Sequence, residues 1–259
     1  MIIFSAPGSV VGVLSPHFSF PEGGAAAELI VLRWLHFIFG IIWIGLLYFF
    51  NLVGFSTMKR LDGPVRAKIY PVMMSRAMAW FRWSALITVV VGLRYYFHLL
   101  SVDAHNAGDA SLTLKWFGWW MLVWLVAFVL IYPLQLPHEG FLDNPWGRAI
   151  LISIVVAAAS WLVVSLLAQP GASNRTLCIA IGGGLGTILF LNVWGIAWRC
   201  QKRLIAWTRA ASAQGTPMPP DATNLARVAT LTMQINFWLS FPMIFFMAAS
   251  THFPFLSGG

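Results

Sequence analysis

Stretches of this chain stay apolar for longer than the ~18 residues that mark a membrane-spanning helix. That feature, more than any other, limits what the chain can fold into. The stretches run from about Glu28 to Phe55, Trp80 to Leu100, Leu112 to Leu134, Arg148 to Ala168, Leu177 to Trp198 and Val228 to Thr251. Hydrocarbon offers no water to a backbone N–H or C=O, so each stretch must satisfy its own polar groups as a helix. Only 9% of the residues are charged and 59% are hydrophobic. A soluble domain carries about 25% charged residues, so this chain could not present a solvated surface on every side. The expectation is an all-α integral membrane protein, a bundle of about six transmembrane helices. Residues 28–259 form one transmembrane domain, preceded by an exoplasmic segment over 1–27.

The charges set the orientation. Between the first two spans lie Lys59, Arg60, Arg66, Lys68, Arg76 and Arg82 against Asp62. Between the fifth and sixth lie Arg199, Lys202, Arg203, Arg209 and Arg227 against Asp221. These two loops hold eleven of the sixteen basic residues. Basic loops stay in the cytoplasm, which puts both termini on the exoplasmic side. The net charge of +8 is therefore topogenic, and no nucleic-acid partner is expected. Cys178 and Cys200 sit near opposite ends of one span, on the order of 30 Å apart, beyond disulfide reach. Residues 1–27 lack the basic start and apolar core of a cleavable signal peptide.

With that orientation, His17, His36, His98, His105 and His252 belong to the exoplasmic half, and His138 to a cytoplasmic loop. His36 lies within the first span, ~12 Å along the helix from Glu28. Arg33 precedes His36 by three residues and Arg94 precedes His98 by four, so each pair shares a helix face. A cation inside a span is costly unless paired or reaching water. Imidazoles that can ligate iron, beside guanidiniums that can neutralise carboxylates, suit a b-type haem between helices, with its propionates at the exoplasmic surface. Taken singly, His98, His105 and His252 also read as interfacial anchors or packed hydrogen-bonders. The deeper His36 is the stronger ligand candidate. No compact set of histidine, cysteine or carboxylate ligands points to zinc or copper.

A second polar layer lies toward the cytoplasm, with Asn51, Asn192, Gln234 and Asn236. Such amides either hydrogen-bond neighbouring helices or line a polar cavity. Gly182-Gly183-Gly184-Leu185-Gly186 follows no strand, so it reads as a close helix–helix approach and not as a phosphate loop. Pro133 and Pro242 are placed to bend their helices.

Four ordered blocks carry a family resemblance: Arg33-Trp34-Leu35-His36-Phe37 through Gly45; Trp80-Phe81-Arg82-Trp83 to Gly92; Asn192-Val193-Trp194 through Arg203; and Asn236 through Pro242 to Thr251-His252-Phe253-Pro254. Together they resemble the membrane domain of the cytochrome-c-linked, membrane-bound urate oxidases. The His-x6-Trp-x-Gly part of the first block also resembles the first helix of haem-binding membrane oxidases of tetrapyrrole synthesis and of copper-resistance membrane proteins. Family members tend to carry a histidine just before the asparagine that corresponds to Asn236, where this chain has Gln234-Ile235. In that family a cytochrome c domain follows the last span on the periplasmic side, whereas this sequence ends at Gly259.

The resemblance implies a multi-pass protein of a bacterial inner membrane that oxidises urate or a related small molecule. Electrons would pass to a separate c-type cytochrome. Haem b would be held by His36, with His98 or His252 as the second ligand and Arg33 and Arg94 at the propionates. The alternative expectation is a non-catalytic accessory or anchoring subunit of a larger membrane complex, in contact with lipids and partner subunits. A transporter is disfavoured, since no inverted repeat and no mid-membrane carboxylate is evident.

Overall fold

The computed structural model describes residues 24–136, 140–168, 171–254 and 256. The expectations for the 1–23 segment, including His17, and for His138 lie outside the described residues. The described residues are helical, without strands. Helix α1 (Gly24–Tyr48) passes through a π-helical turn (Phe49–Gly54) into α2 (Phe55–Arg60). There follow α3 (Gly63–Asn106), α4 (Leu112–Ile131) and α5 (Pro145–Leu167). Helix α6 (Asn174–Asn192) runs through a second π turn (Val193–Ala197) into α7 (Trp198–Gln214), and α8 (Ala222–His252) closes the chain. Six of the resulting segments are long and apolar enough to cross a membrane.

Local chemistry sets the ends. Asn144 accepts from the N–H of Trp146 ahead of α5, with Pro145 in the first turn, where its missing N–H costs nothing. Ser173 caps α6 by accepting from the N–H of Thr176. Buried Asp103, in the last turn of α3, accepts from both the N–H (2.8 Å) and the hydroxyl (2.9 Å) of Ser173. Asp103, which falls between the expected second and third spans, is thus a clamp at the start of α6, favoured by the positive helix end. Gly215, at φ 68°, ends α7 in the left-handed conformation that glycine adopts without strain. Pro133 turns the end of α4 into a 3-10 turn, whereas α8 continues through Pro242.

Helix α6 occupies the centre. Its most apolar window is 78% buried, against 22% for those of the first and fourth spans, whose outward side chains have the apolar character of lipid-facing surfaces. Glycine makes the central position accessible. A Cβ at Gly184 would stand 1.8 Å from Trp124, and one at Gly182 would stand 3.2 Å from the carbonyl oxygen of Met243 on α8. Trp120 and Trp124 reach across this gap, and both indole N–H groups donate to the carbonyl of Ala180, at 2.8 and 3.0 Å. The glycine cluster is therefore a close-approach surface, as its apolar context implied.

The boundaries differ from the sequence expectation in one respect. The second span begins at Gly63, not near Trp80, and the basic segment after the fifth span is α7. At ~1.5 Å per residue α3 is about 66 Å long, while α4 and α5 are about 30–35 Å, one hydrocarbon thickness. So α3 and the α6–α7 rod run roughly 30 Å past the ends of α4 and α5, at the end where the basic residues collect. They stay paired there: Tyr70 donates to Gln201 at 2.6 Å, and the Arg82 guanidinium lies 3.9 Å from the Trp198 ring centre. Charged segments between apolar runs read as loops. Yet Lys and Arg are good helix formers, and α7 buries Gln201, Leu204 and Ile205 on one face.

Gly184→Ala is expected to cost about 1–3 kcal/mol through overpacking, read as a lower Tm in detergent. Gly118→Ala, whose added Cβ meets nothing within 4 Å, should hold its Tm or gain up to ~1 kcal/mol.

Candidate functional site

Helices α1 and α3 pack antiparallel along a seam that Glu28 and Arg94 close at one end. One guanidinium nitrogen of Arg94 meets both carboxylate oxygens of Glu28, at 2.8 and 2.9 Å. Eight residues further along α1, His36 Nδ1 lies 2.9 Å from the carbonyl oxygen of Thr88. A carbonyl only accepts, so Nδ1 carries the proton and donates, leaving the lone pair on Nε2. No partner for Nε2 occurs among the described residues. The ring fits because position 92 is glycine, where a Cβ would stand 3.0 Å from His36 Nδ1 and Cε1. Below it the seam is closed by Gly40 against Thr88, then by buried Trp43, Leu47 and Phe50, the last edge-on to Phe81 at 5.6 Å.

Among the described residues no hydrogen bond or ion pair links the other expected site residues to His36. Arg33 is exposed, with its guanidinium 5.8 Å from the Phe37 ring. Arg94 is engaged by Glu28. His98, partly exposed, lies ten residues further along α3 than Thr88, ~15 Å nearer that end of the bundle. His252 is the last residue of α8, and its side chain is outside the described residues. The adjoining chain is tied to the start of α6, where Asn174 donates to the carbonyl of Phe253. His105 is exposed at the end of α3. Among the described residues no three histidine, cysteine or carboxylate groups form a metal-binding cluster. What the structure assembles is one oriented imidazole, which fits a single axial ligand to a haem iron.

The second polar layer is continuous. Gln135 donates to Asn192 at 2.7 Å, Asn192 donates to Asn236 at 2.7 Å, and Asn236 donates to the carbonyl of Leu189 at 3.0 Å. All three amide side chains are completely buried. Asn51, in the first π turn, bonds separately, donating to the carbonyls of Leu47 and Met233, at 2.9 and 3.2 Å. Both π turns face this layer. Asn51 lies within the first, and Asn192 directly precedes the second. Such turns insert a residue into the helical register and recur at functional positions. Gln234, expected in the layer, is exposed instead. Gln135, missed because it ends a span, takes its place, and among the described residues its buried Oε1 has no hydrogen-bond partner.

Residues 63–259 match the family model described as urate oxidase N-terminal. The chain belongs to that family. No curated protein and no solved structure matches the chain. The urate oxidase N-terminal match covers α3 through α8, and with them Gln135, Asn192, Asn236, Thr88 and Gly92. His36, Arg33 and the rest of α1 lie ahead of it. The amide layer therefore belongs to the matched domain apart from Asn51, while the α1–α3 seam joins the matched domain to the helix that precedes it.

Asn192→Leu strands the Gln135 amide N–H2 and the Asn236 carbonyl. A cost of about 1–3 kcal/mol is expected, measured as unfolding in mixed micelles. Gln234→Leu, on an exposed face, should stay within about ±0.5 kcal/mol.

Proposed function

We propose that this chain is the membrane domain of a urate oxidase-type redox system in a bacterial inner membrane. It holds a b-type haem through His36 and delivers electrons to a separate periplasmic c-type cytochrome. The observation that carries this reading is the His36–Thr88 hydrogen bond. A ligating histidine characteristically donates its other ring N–H to a carbonyl or carboxylate, which fixes the tautomer and aims the remaining nitrogen at the metal. The family description, urate oxidase N-terminal, supports urate or a related small heterocycle as the electron donor.

Each residue then has a role. Thr88 fixes the imidazole through its backbone, which no side-chain exchange at position 88 removes. Gly92 makes room for the ring. Arg33, exposed on the same face of α1, is the cation at hand for a propionate, and Arg94 is shared with Glu28. His98 and His252, nearer the end of the bundle, are secondary candidates for the other axial position. Bound there, haem supplies one-electron storage between a two-electron donor and a one-electron acceptor. The positive-inside rule puts the basic extension in the cytoplasm. His36 then falls in the periplasmic half, on the side from which a soluble cytochrome would approach.

The test is an absorption spectrum of detergent-purified protein, oxidised and dithionite-reduced, with a pyridine haemochrome assay. The expected result is a b-type Soret band and reduced α-band at about one haem per chain, abolished in His36→Ala and kept in His98→Ala. Gly92→Ala, which crowds the ring, should shift the bands or lower occupancy. Urate added to the oxidised protein should then reduce it. Colourless, folded protein from haem-replete cells, co-purifying with partner subunits, would instead establish the accessory-subunit reading.

A further inference from the structure

The helical extension carries a feature that electron transfer does not use. Where α2, α3, α7 and α8 meet, a cleft of about 200 Å³ opens, floored by Phe50, Met73, Met74 and Leu204 and rimmed by Lys59 and Arg66. Among the described residues no acidic side chain lines it. The ion pairs among the described residues employ Arg94, Arg148 and Arg227, so both rim cations are unpaired and exposed. Met73 is shared with a shallower groove over Lys68, Ile69 and Val72.

We infer that this cleft is a binding site for an anionic phospholipid, its phosphate between Lys59 and Arg66 and an acyl chain along Ile69, Val72 and Met73. Two observations select this occupant. The first is the outer face of α3. Val65, Ile69, Val72, Trp80, Trp83 and Val90 are all exposed, Val72 by 64%, and their spacing puts them on one helix face. The lipid-facing stripe of the bundle therefore continues past the ends of α4 and α5, interrupted only by Arg76. A solvated face would turn polar there, so this one is covered by something apolar. The second is charge. Apolar surface leading to an unpaired Lys–Arg rim without carboxylates matches a molecule with a hydrocarbon tail and an anionic head. Basic pockets between transmembrane helices on the cytoplasmic side bind anionic headgroups. A free inorganic anion would satisfy the rim and leave the stripe bare. A neutral lipid would do the reverse.

The experiment is native mass spectrometry of the full chain released from nanodiscs of phosphatidylcholine alone or with phosphatidylglycerol. Wild-type protein is expected to retain phosphatidylglycerol. Lys59→Ala/Arg66→Ala should weaken retention about 30-fold, from ~1 kcal/mol per cation near an anionic surface. Arg209→Ala, whose guanidinium instead donates to Ser75 at 3.4 Å, should retain it like wild type. Val72→Glu, which sets a carboxylate in the groove and leaves the rim intact, should also lose it. Circular dichroism and a monodisperse elution profile qualify each variant as folded. Equal retention by wild type and the double variant would overturn the assignment, as would equal retention of phosphatidylcholine. Protection of Lys59 from amine acylation by soluble glycerophosphate, equal to that by the lipid, would reassign the cleft to a soluble anion.

Discussion

The arrangement depends on how closely other helices approach α6. Between membrane helices there is no hydrophobic drive to associate, because lipid tails are as apolar as leucine. Packing contacts and hydrogen bonds must supply the association. Gly182, Gly184 and Gly186 remove the side chains that would hold α4 and α8 away, so that Trp124 lies against the α6 backbone and the Met243 carbonyl comes within reach of Gly182. Once that distance is set, the two tryptophan N–H groups find the Ala180 carbonyl. The neutral amides lower down then fall within hydrogen-bonding distance.

The amide layer converts that approach into a fixed register. Sliding α8 by one residue past α6 would part Asn236 from both Asn192 and the Leu189 carbonyl, leaving several buried polar groups without partners, each costing about 1–3 kcal/mol. The π turns, one containing Asn51 and one following Asn192, insert a residue into the helical register at each amide. Among the described residues, Gln135 Oε1 is the atom of this network left buried without a hydrogen-bond partner.

The two ends of the bundle are built differently. At one, short-range ties (Glu28–Arg94, Asp103–Ser173, Asn174–Phe253) pin neighbouring helices, and His36 is held at depth in the α1–α3 seam. At the other, α3 and the α6–α7 rod continue past the ends of α4 and α5. Arg82, close to that boundary, is accommodated among the rings of Trp83, Trp194 and Trp198, where aromatic faces compensate a cation removed from water. The proposed redox centre near the first end and the proposed lipid site at the second are compatible, because they draw on polar groups far apart along α3.

Hydropathy along the sequence determined the number of spans and the all-helical class, since the cost of burying backbone in lipid is local and additive over each segment. Family membership was legible for the same reason: ordered short blocks survive without knowledge of their contacts. The extension was not legible. Its residues are charged, and whether a charged stretch is loop or helix is decided by a partner helix, here α7 against α3. Of the site, His36 could be picked out by its depth, and Asn51, Asn192 and Asn236 by being amides in apolar runs. That His36 bonds to a backbone carbonyl, that Gln135 replaces Gln234, and that Arg94 serves Glu28 were settled only by the tertiary structure. The physical reason is that a hydrogen bond needs a distance and a direction between helices. A sequence carries the groups that can bond, and only packing decides which of them meet.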